Sequence, residues 1–110
     1  MNETVASLMK SPGVRLAAVV GRDGNVLAVS DEEPQSDVLA ALASAVFGAI
    51  AGALANGGIA PLESCLFEAG ATSVQLQGAG DRILVAVAAN DANVGRVKLA
   101  LRRAAERETA

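Results

Sequence analysis

Apolar and polar positions alternate in ways that divide the chain into eight segments. Asn2 or Thr4 can cap a short first helix, in which Val5, Leu8 and Met9 recur at i, i+3 and i+4 before Ser11-Pro12-Gly13 ends it. Val14 to Val20 is a β-branched, apolar run, Gly21-Arg22-Asp23-Gly24-Asn25 is a turn carrying Asp-Gly, and Val26 to Ser30 is a second strand. Together they predict a β-hairpin. After an acidic loop from Asp31 to Gln35, Ser36 followed by Asp37 offers an N-cap with negative charge in the first turn. The helix that follows has no charge and one polar side chain, Ser44, between Val38 and Ala55, and Asn56-Gly57-Gly58 suits the left-handed residue that closes helices.

Leu62 to Glu68, Thr72 to Gln77 and Arg82 to Ala89 predict three more strands, joined by Ala69-Gly70-Ala71 and Gly78-Ala79-Gly80-Asp81. A last helix starts around Asp91 to Asn93 and runs to about Glu106, with Val94, Val97, Leu101 and Ala104 on one face. The order is αββαβββα without internal repeat, an α/β (α+β) arrangement in one domain over residues 1–110. Val14 to Val20 and Ile83 to Ala88 are apolar at nearly every position, the texture of central strands covered on both faces. Thr72 to Gln77 alternates Val74 and Leu76 with Ser73, Gln75 and Gln77, which predicts one partly wet face.

Apolar residues make up 52% of the 110, enough to bury one core and too many for a disordered chain. Two Phe and no Tyr or Trp leave no stacking platform for bases, and a net charge of −3 gives no overall attraction to phosphate backbones or anionic membranes. With no histidine, the commonest general base is missing, and one cysteine cannot make an internal disulfide or anchor a thiolate zinc site. No nucleophile–base pair or carboxylate dyad stands out, so the expectation is a protein that is not an enzyme and holds no metal or cofactor. Gly78-Ala79-Gly80 lacks the third glycine and leads into a strand, so it reads as a hairpin turn and not as a phosphate loop. Cys65 reads as a small buried hydrophobe in a reduced compartment. The first ten residues carry Glu3 and no apolar h-region, and the expected location is cytoplasmic. Five of the nine basic residues, Arg96, Lys98, Arg102, Arg103 and Arg107, gather on the last helix as a solvated face or a site for an acidic partner.

The uncharged helix is the most informative segment, because a helix apolar all round must be covered all round. Its length approaches that of a membrane span, yet it is rich in Ala and Gly, no basic cluster flanks it, and its neighbours read as one sheet, so coverage by protein is expected. Leu39, Leu42, Val46, Ile50 and Leu54 form a stripe to face the sheet, which leaves Ala41, Ala45, Gly48, Ala49 and Gly52 as a second, small-residue face for close approach by another copy. The third strand carries apolar groups on both faces, Leu62, Cys65, Leu66 and Phe67, and an apolar edge invites pairing with another chain. Leu62, Cys65 and Phe67 therefore join the small-residue face as the candidate dimer interface.

Pro12-Gly13-Val14 leading to Ala17-Ala18-Val19-Val20, the Arg22-Asp23-Gly24 hairpin, the Ala-rich central helix and Asn93-Val94-Gly95 make the chain resemble the roadblock family, the dynein light chain and MglB-type domains, from about Thr4 to Arg107. That resemblance implies a five-stranded antiparallel sheet in the order 2-1-5-4-3, the long helix on one face and the terminal helices on the other. It further implies homodimers joined through the central helix and third strand into a continuous sheet, and regulation or scaffolding of a small Ras-like GTPase. The C-terminal extension of some MglB-type members has no counterpart here, which leaves activation and scaffolding both open. Phe47, off the expected sheet-facing stripe, is the candidate GTPase anchor. The competing function is a small-molecule sensor or adaptor domain of profilin-like or longin-like fold, for which the Ala-rich packing supplies few pocket-lining side chains.

Overall fold

The computed structural model describes residues 1–31, 34–89 and 91–109; Glu32 and Glu33 of the acidic loop lie outside the described residues. The elements are α1 (Asn2–Met9), β1 (Val14–Gly21), β2 (Val26–Val29), α2 (Pro34–Asn56), β3 (Ser64–Ala69), β4 (Thr72–Ala79), β5 (Arg82–Ala89) and α3 (Val94–Thr109). The strands form one antiparallel sheet in the order β2-β1-β5-β4-β3, as the resemblance implies. β1 and β5 are central, as their unbroken apolar texture predicts.

Strand alternation sends side chains to two cores. On one face Ala17, Val19, Leu84 and Ala86 pack with Val5 and Leu8 of α1 and Val97, Leu101 and Ala104 of α3. On the other, Ala18, Val20, Leu76, Ile83 and Val85 pack with Ala40, Ala43 and Phe47 of α2. The polar side of β4 is not wet as predicted: Ser73, Gln75 and Gln77 are buried on the α3 side. The Gln75 amide nitrogen donates to the Val94 carbonyl at 3.4 Å, and that of Gln77 donates to the carbonyls of Glu63 and Gly78 at 3.2 and 3.3 Å. Main-chain acceptors that a sequence pattern does not reveal offset the desolvation of these amides.

Helix α2 begins at Pro34, two residues before the expected cap. Proline loses nothing in the first turn, where its missing N–H would have no helical partner. Ser36 instead donates its hydroxyl to the Asp31 carbonyl at 3.2 Å. The far end closes as predicted: Ile59 N–H donates to Leu54 O at 2.9 Å and Gly58 N–H to Ala55 O at 3.2 Å, with Gly58 at φ +68°. That double bond is a Schellman closure, and the left-handed residue it needs carries no Cβ penalty when it is glycine. At the start of α3, Asn93 Oδ1 accepts from Arg96 N–H at 3.0 Å, a side-chain cap.

Neither Asn2 nor Thr4 caps α1, since Asn2 is already helical and Thr4 has another task. The Thr4 hydroxyl donates to Glu108 Oε1 at 2.5 Å, and Arg82 Nη1 donates to Glu108 Oε2 at 2.6 Å. These bonds tie α1, β5 and α3 together around a carboxylate whose side chain is 7% exposed. The Thr4 bond first, and then Arg82, hold the Glu108 carboxyl below its ordinary value, against the opposing effect of burial. A lowered folded-state pKa stabilises the protein above the unfolded value of about 4.3, and that contribution disappears as pH falls through the folded value. Glu108→Gln is therefore expected to cost about 1–3 kcal/mol at pH 7 and to flatten the acid loss of stability below about pH 4, measured by urea unfolding across pH.

Candidate functional site

Helix α2 lies on the sheet along one side only. Over its most apolar stretch, Gln35–Asn56 has a mean hydropathy of 2.2, and by length and composition it could cross a membrane. Its buried row is Ser36, Ala40, Ala43 and Phe47, flanked by half-buried Leu39, Val46, Ile50, Ala51 and Leu54. The expected Leu39–Leu54 stripe is thus rotated by about one residue, and Leu42, assigned to the sheet, is 56% exposed. Both rows are apolar, so periodicity does not choose between them. Ring volume does: β4 has Gly78 where Phe47 descends, and a Cβ there would stand 3.0 Å from Phe47 Cζ.

Phe47 is consequently not an exposed anchor. It is 1% exposed and among the largest fully buried side chains, and the Arg22 guanidinium sits 4.9 Å from its ring centroid. Arg22 Nη2 also donates to the Gly80 carbonyl at 2.9 Å, so the cation both covers the ring and ties two hairpins together. A buried ring under a fixed guanidinium cannot reach a partner.

The five small residues split between two sides of the helix. Ser44 donates its hydroxyl to the Arg22 carbonyl on the β1–β2 turn at 2.5 Å. Ala41 and Gly48, one turn before and after it, belong to that side, and Ala41 Cα lies 3.6 Å from where a Cβ on Gly24 would be. On the other side, Leu39, Leu42, Ala43 and Val46 line an apolar groove of about 170 Å³ with Phe67, Val74 and Leu76. Ala49, one turn beyond Val46 and two beyond Leu42, continues this side, and Ala45 and Gly52 lie on the outer crest. An added Cβ at Gly48 or Gly52 meets nothing within 4 Å.

The groove leads directly to β3, which pairs with β4 alone and has its other edge open among the described residues. Phe67 is 39% and Leu66 45% exposed, on opposite faces of this strand, while Leu62 and Cys65 are half-buried against the α2-side core. Burial pushes the Cys65 thiol up, so it is protonated at neutral pH and packs as a small apolar group. Val38, at 60%, adds to the apolar exposure near the start of α2. Sequence reasoning missed Val38 and Leu42 as surface residues.

A sheet in this strand order, with one long helix on one face and two terminal helices on the other, defines a class of small α/β domains. The chain belongs to the Roadblock/LC7 domain family, whose profile matches residues 1–92. Two uncharacterized proteins of Methanocaldococcus jannaschii are 31% and 30% identical to it, each alignment spanning 97% of this chain and 95% of the relative. Among solved structures, a Roadblock/LC7 domain from Streptomyces avermitilis superposes with a TM-score of 0.90 at 21% identity, covering 97% of this chain and 92% of that one. The gliding protein MglB from Thermus thermophilus superposes with a TM-score of 0.85 at 26% identity, covering 97% and 84%. The layering also extends to profilin II of Acanthamoeba castellanii, with a TM-score of 0.66 at 20% identity over 88% of this chain and 86% of that one.

Proposed function

We propose that the protein is a homodimeric, non-enzymatic regulator or scaffold of a small Ras-like GTPase, working in the cytoplasm. The observation that carries this reading is the uncovered apolar strip running from Leu42 and Val46 of α2 to Phe67 on the open edge of β3. Single exposed apolar residues are ordinary, but a continuous strip beside an unpaired strand edge marks an interface. Pairing of β3 with β3 of a second copy would extend the sheet, bring the Leu42–Ala49 sides of two α2 helices together, and bury about 1,600 Å². Ala45, Ala49 and Gly52 would then let the helices approach closely, while Leu62 and Cys65 support the strand from beneath. A ligand-sensing role fits less well, because the apolar groove, at about 170 Å³, is smaller than the roughly 300–1,000 Å³ of small-molecule pockets, and the larger cleft beside α3, at about 430 Å³, is lined mainly by polar and charged side chains and not by the apolar walls such pockets need.

The roadblock resemblance supports a Ras-like GTPase as the partner, and the docking surface in this reading is the ridge that two α2 helices would form on dimerisation. Val38 replaces Phe47 as the exposed apolar contact on that ridge. The dimer is expected to bind a cognate GTPase with different affinities for the GTP-analogue and GDP forms, since γ-phosphate orders the switch loops and hydrolysis releases them. Val38→Asp is expected to weaken that binding by about tenfold or more with the dimer intact. Fluorescence titration of both nucleotide forms, with mass checked by light scattering, tests this. Equal affinities would reduce the protein to a scaffold, and no binding at all would reject the reading.

A further inference from the structure

A second cleft runs between α3 and the β3–β4 end of the sheet, on the α3 side and away from the α2 ridge. One lobe, of about 430 Å³, reaches the β1–β2 turn at Arg22 and is walled by Lys98 and Arg102; the adjoining lobe, of about 290 Å³, is lined by Leu66, Gln75, Val94 and Leu101. Ser64, Gln77 and Lys98 border both.

Its electrostatics differ from those of the rest of the molecule. Helix α3 carries five basic residues against Glu106 and Glu108, whereas the remainder of the chain holds four basic and ten acidic residues. Glu63 and Glu106 also border the larger lobe. Among the described residues, however, the ion pairs within 4.0 Å involve only Glu108, Arg82, Asp81 and the chain's first amino group, and none engages Lys98 or Arg102. Two cations one helical turn apart stand over the cleft without a carboxylate partner.

The floor adds a second requirement. Gln75 and Gln77 direct their amide nitrogens to main-chain carbonyls, and no hydrogen bond reaches either Oε1 among the described residues. No fully buried side-chain oxygen or nitrogen among these residues lacks a partner, so neither Oε1 is fully buried, and both glutamines border the cleft with an acceptor to spare. A phosphodiester offers a carbonyl-type acceptor nothing to receive, whereas the N–H groups of an extended peptide donate to it. Leu66, nearly half exposed beside Val94 and Leu101, supplies an apolar contact.

We infer that this cleft docks an extended acidic segment of a partner protein. Residues i and i+2 of an extended chain project to one side about 6.5–7 Å apart. Side chains four residues apart on a helix lie about 5–6 Å apart at Cβ, so two carboxylates in an acidic–apolar–acidic triplet match Lys98 and Arg102. The intervening apolar side chain turns toward Leu66, and the peptide N–H groups toward the two glutamines. A single chain builds the whole cleft, so the inference does not rest on the GTPase reading.

The test is an NMR titration of the full, isotope-labelled protein with the capped peptide Gly-Glu-Leu-Glu-Leu-Glu-Gly and with its Gln-for-Glu counterpart. The acidic peptide is expected to shift the amides of Ser64, Leu66, Gln77, Lys98 and Leu101, and the uncharged one to leave them in place. Lys98→Glu with Arg102→Glu is expected to weaken binding by about tenfold or more, and Arg103→Glu, a like change on the same helix outside the cleft lining, by less than about twofold. Circular dichroism confirms that each variant is folded. Equal loss in Arg103→Glu, equal binding of the uncharged peptide, or absence of shifts would overturn the inference. So would displacement of the peptide by a thymidine oligonucleotide or phosphatidylserine vesicles that shift the same amides more strongly, which would assign the cations to phosphate.

Discussion

Phe47→Ala is expected to lower the free energy of unfolding by about 3–5 kcal/mol, the largest effect of any single truncation in α2. The ring fills the space over Gly78 and joins Ala40 and Ala43 to Leu76, Ile83 and Val85. Nothing nearby can take its place, because its fully buried neighbours on the helix are Ala40 and Ala43 and the strand below has Gly78. A domain of this size has a total stability of about 5–15 kcal/mol, so the variant would approach partial unfolding at body temperature. Phe47→Leu, which keeps most of the volume, should lose much less. Guanidinium unfolding followed by far-ultraviolet circular dichroism measures both. A loss under about 1 kcal/mol for the alanine variant would mean that the ring is not the centre of the α2 core.

Leu42→Asp is expected to raise the dimer dissociation constant by about 30-fold or more, equivalent to a hot-spot loss of about 2 kcal/mol. The residue is already more than half exposed in one chain, so a carboxylate there is solvated in the monomer and loses that solvation only on association. Phe67→Asp should act similarly from the β3 side of the groove. Gly48→Leu serves as the contrast: it lies in the Ser44 row toward the β1–β2 turn, with open space around it. It should change the dimer constant by less than about threefold, and Gly48→Ala should stabilise the helix by about 1 kcal/mol. Sedimentation equilibrium resolves these cases. A larger effect at Gly48 than at Leu42 would return the interface to the small-residue row.

Most of the architecture is legible in local signals. The unbroken apolar runs of β1 and β5 put both in the centre of the sheet, and Gly57-Gly58 marks the end of α2. Rotation of α2 about its own axis was not legible, since Leu39-Ala40, Leu42-Ala43 and Val46-Phe47 offer apolar residues on adjacent rows. The choice is made by shape, in the fit of one ring over Gly78, and no periodicity encodes it. That one rotation accounts for the misassignment of Phe47 and Leu42 and for the division of the small-residue face. The wet face predicted for β4 failed for a similar reason: Gln75 and Gln77 are polar by composition, but their partners are carbonyls at Val94, Glu63 and Gly78, the first two outside β4.

The strand order also governs how the protein is made. β1 waits for β5, whose pairing partners Ile83 to Ala88 follow Val14 to Val20 by more than sixty positions. During synthesis the β1–β2 hairpin and α2 emerge ahead of the strands that carry Leu76, Ile83 and Val85. At about 5–20 residues per second, α2 spends several seconds with its apolar rows exposed and no sheet to cover them. Closing a sheet between such distant strands is also slow once the chain is complete. The nascent domain therefore presents an apolar, 23-residue helix as a chaperone substrate, and codon changes that slow translation between α2 and β5 should raise its aggregated fraction.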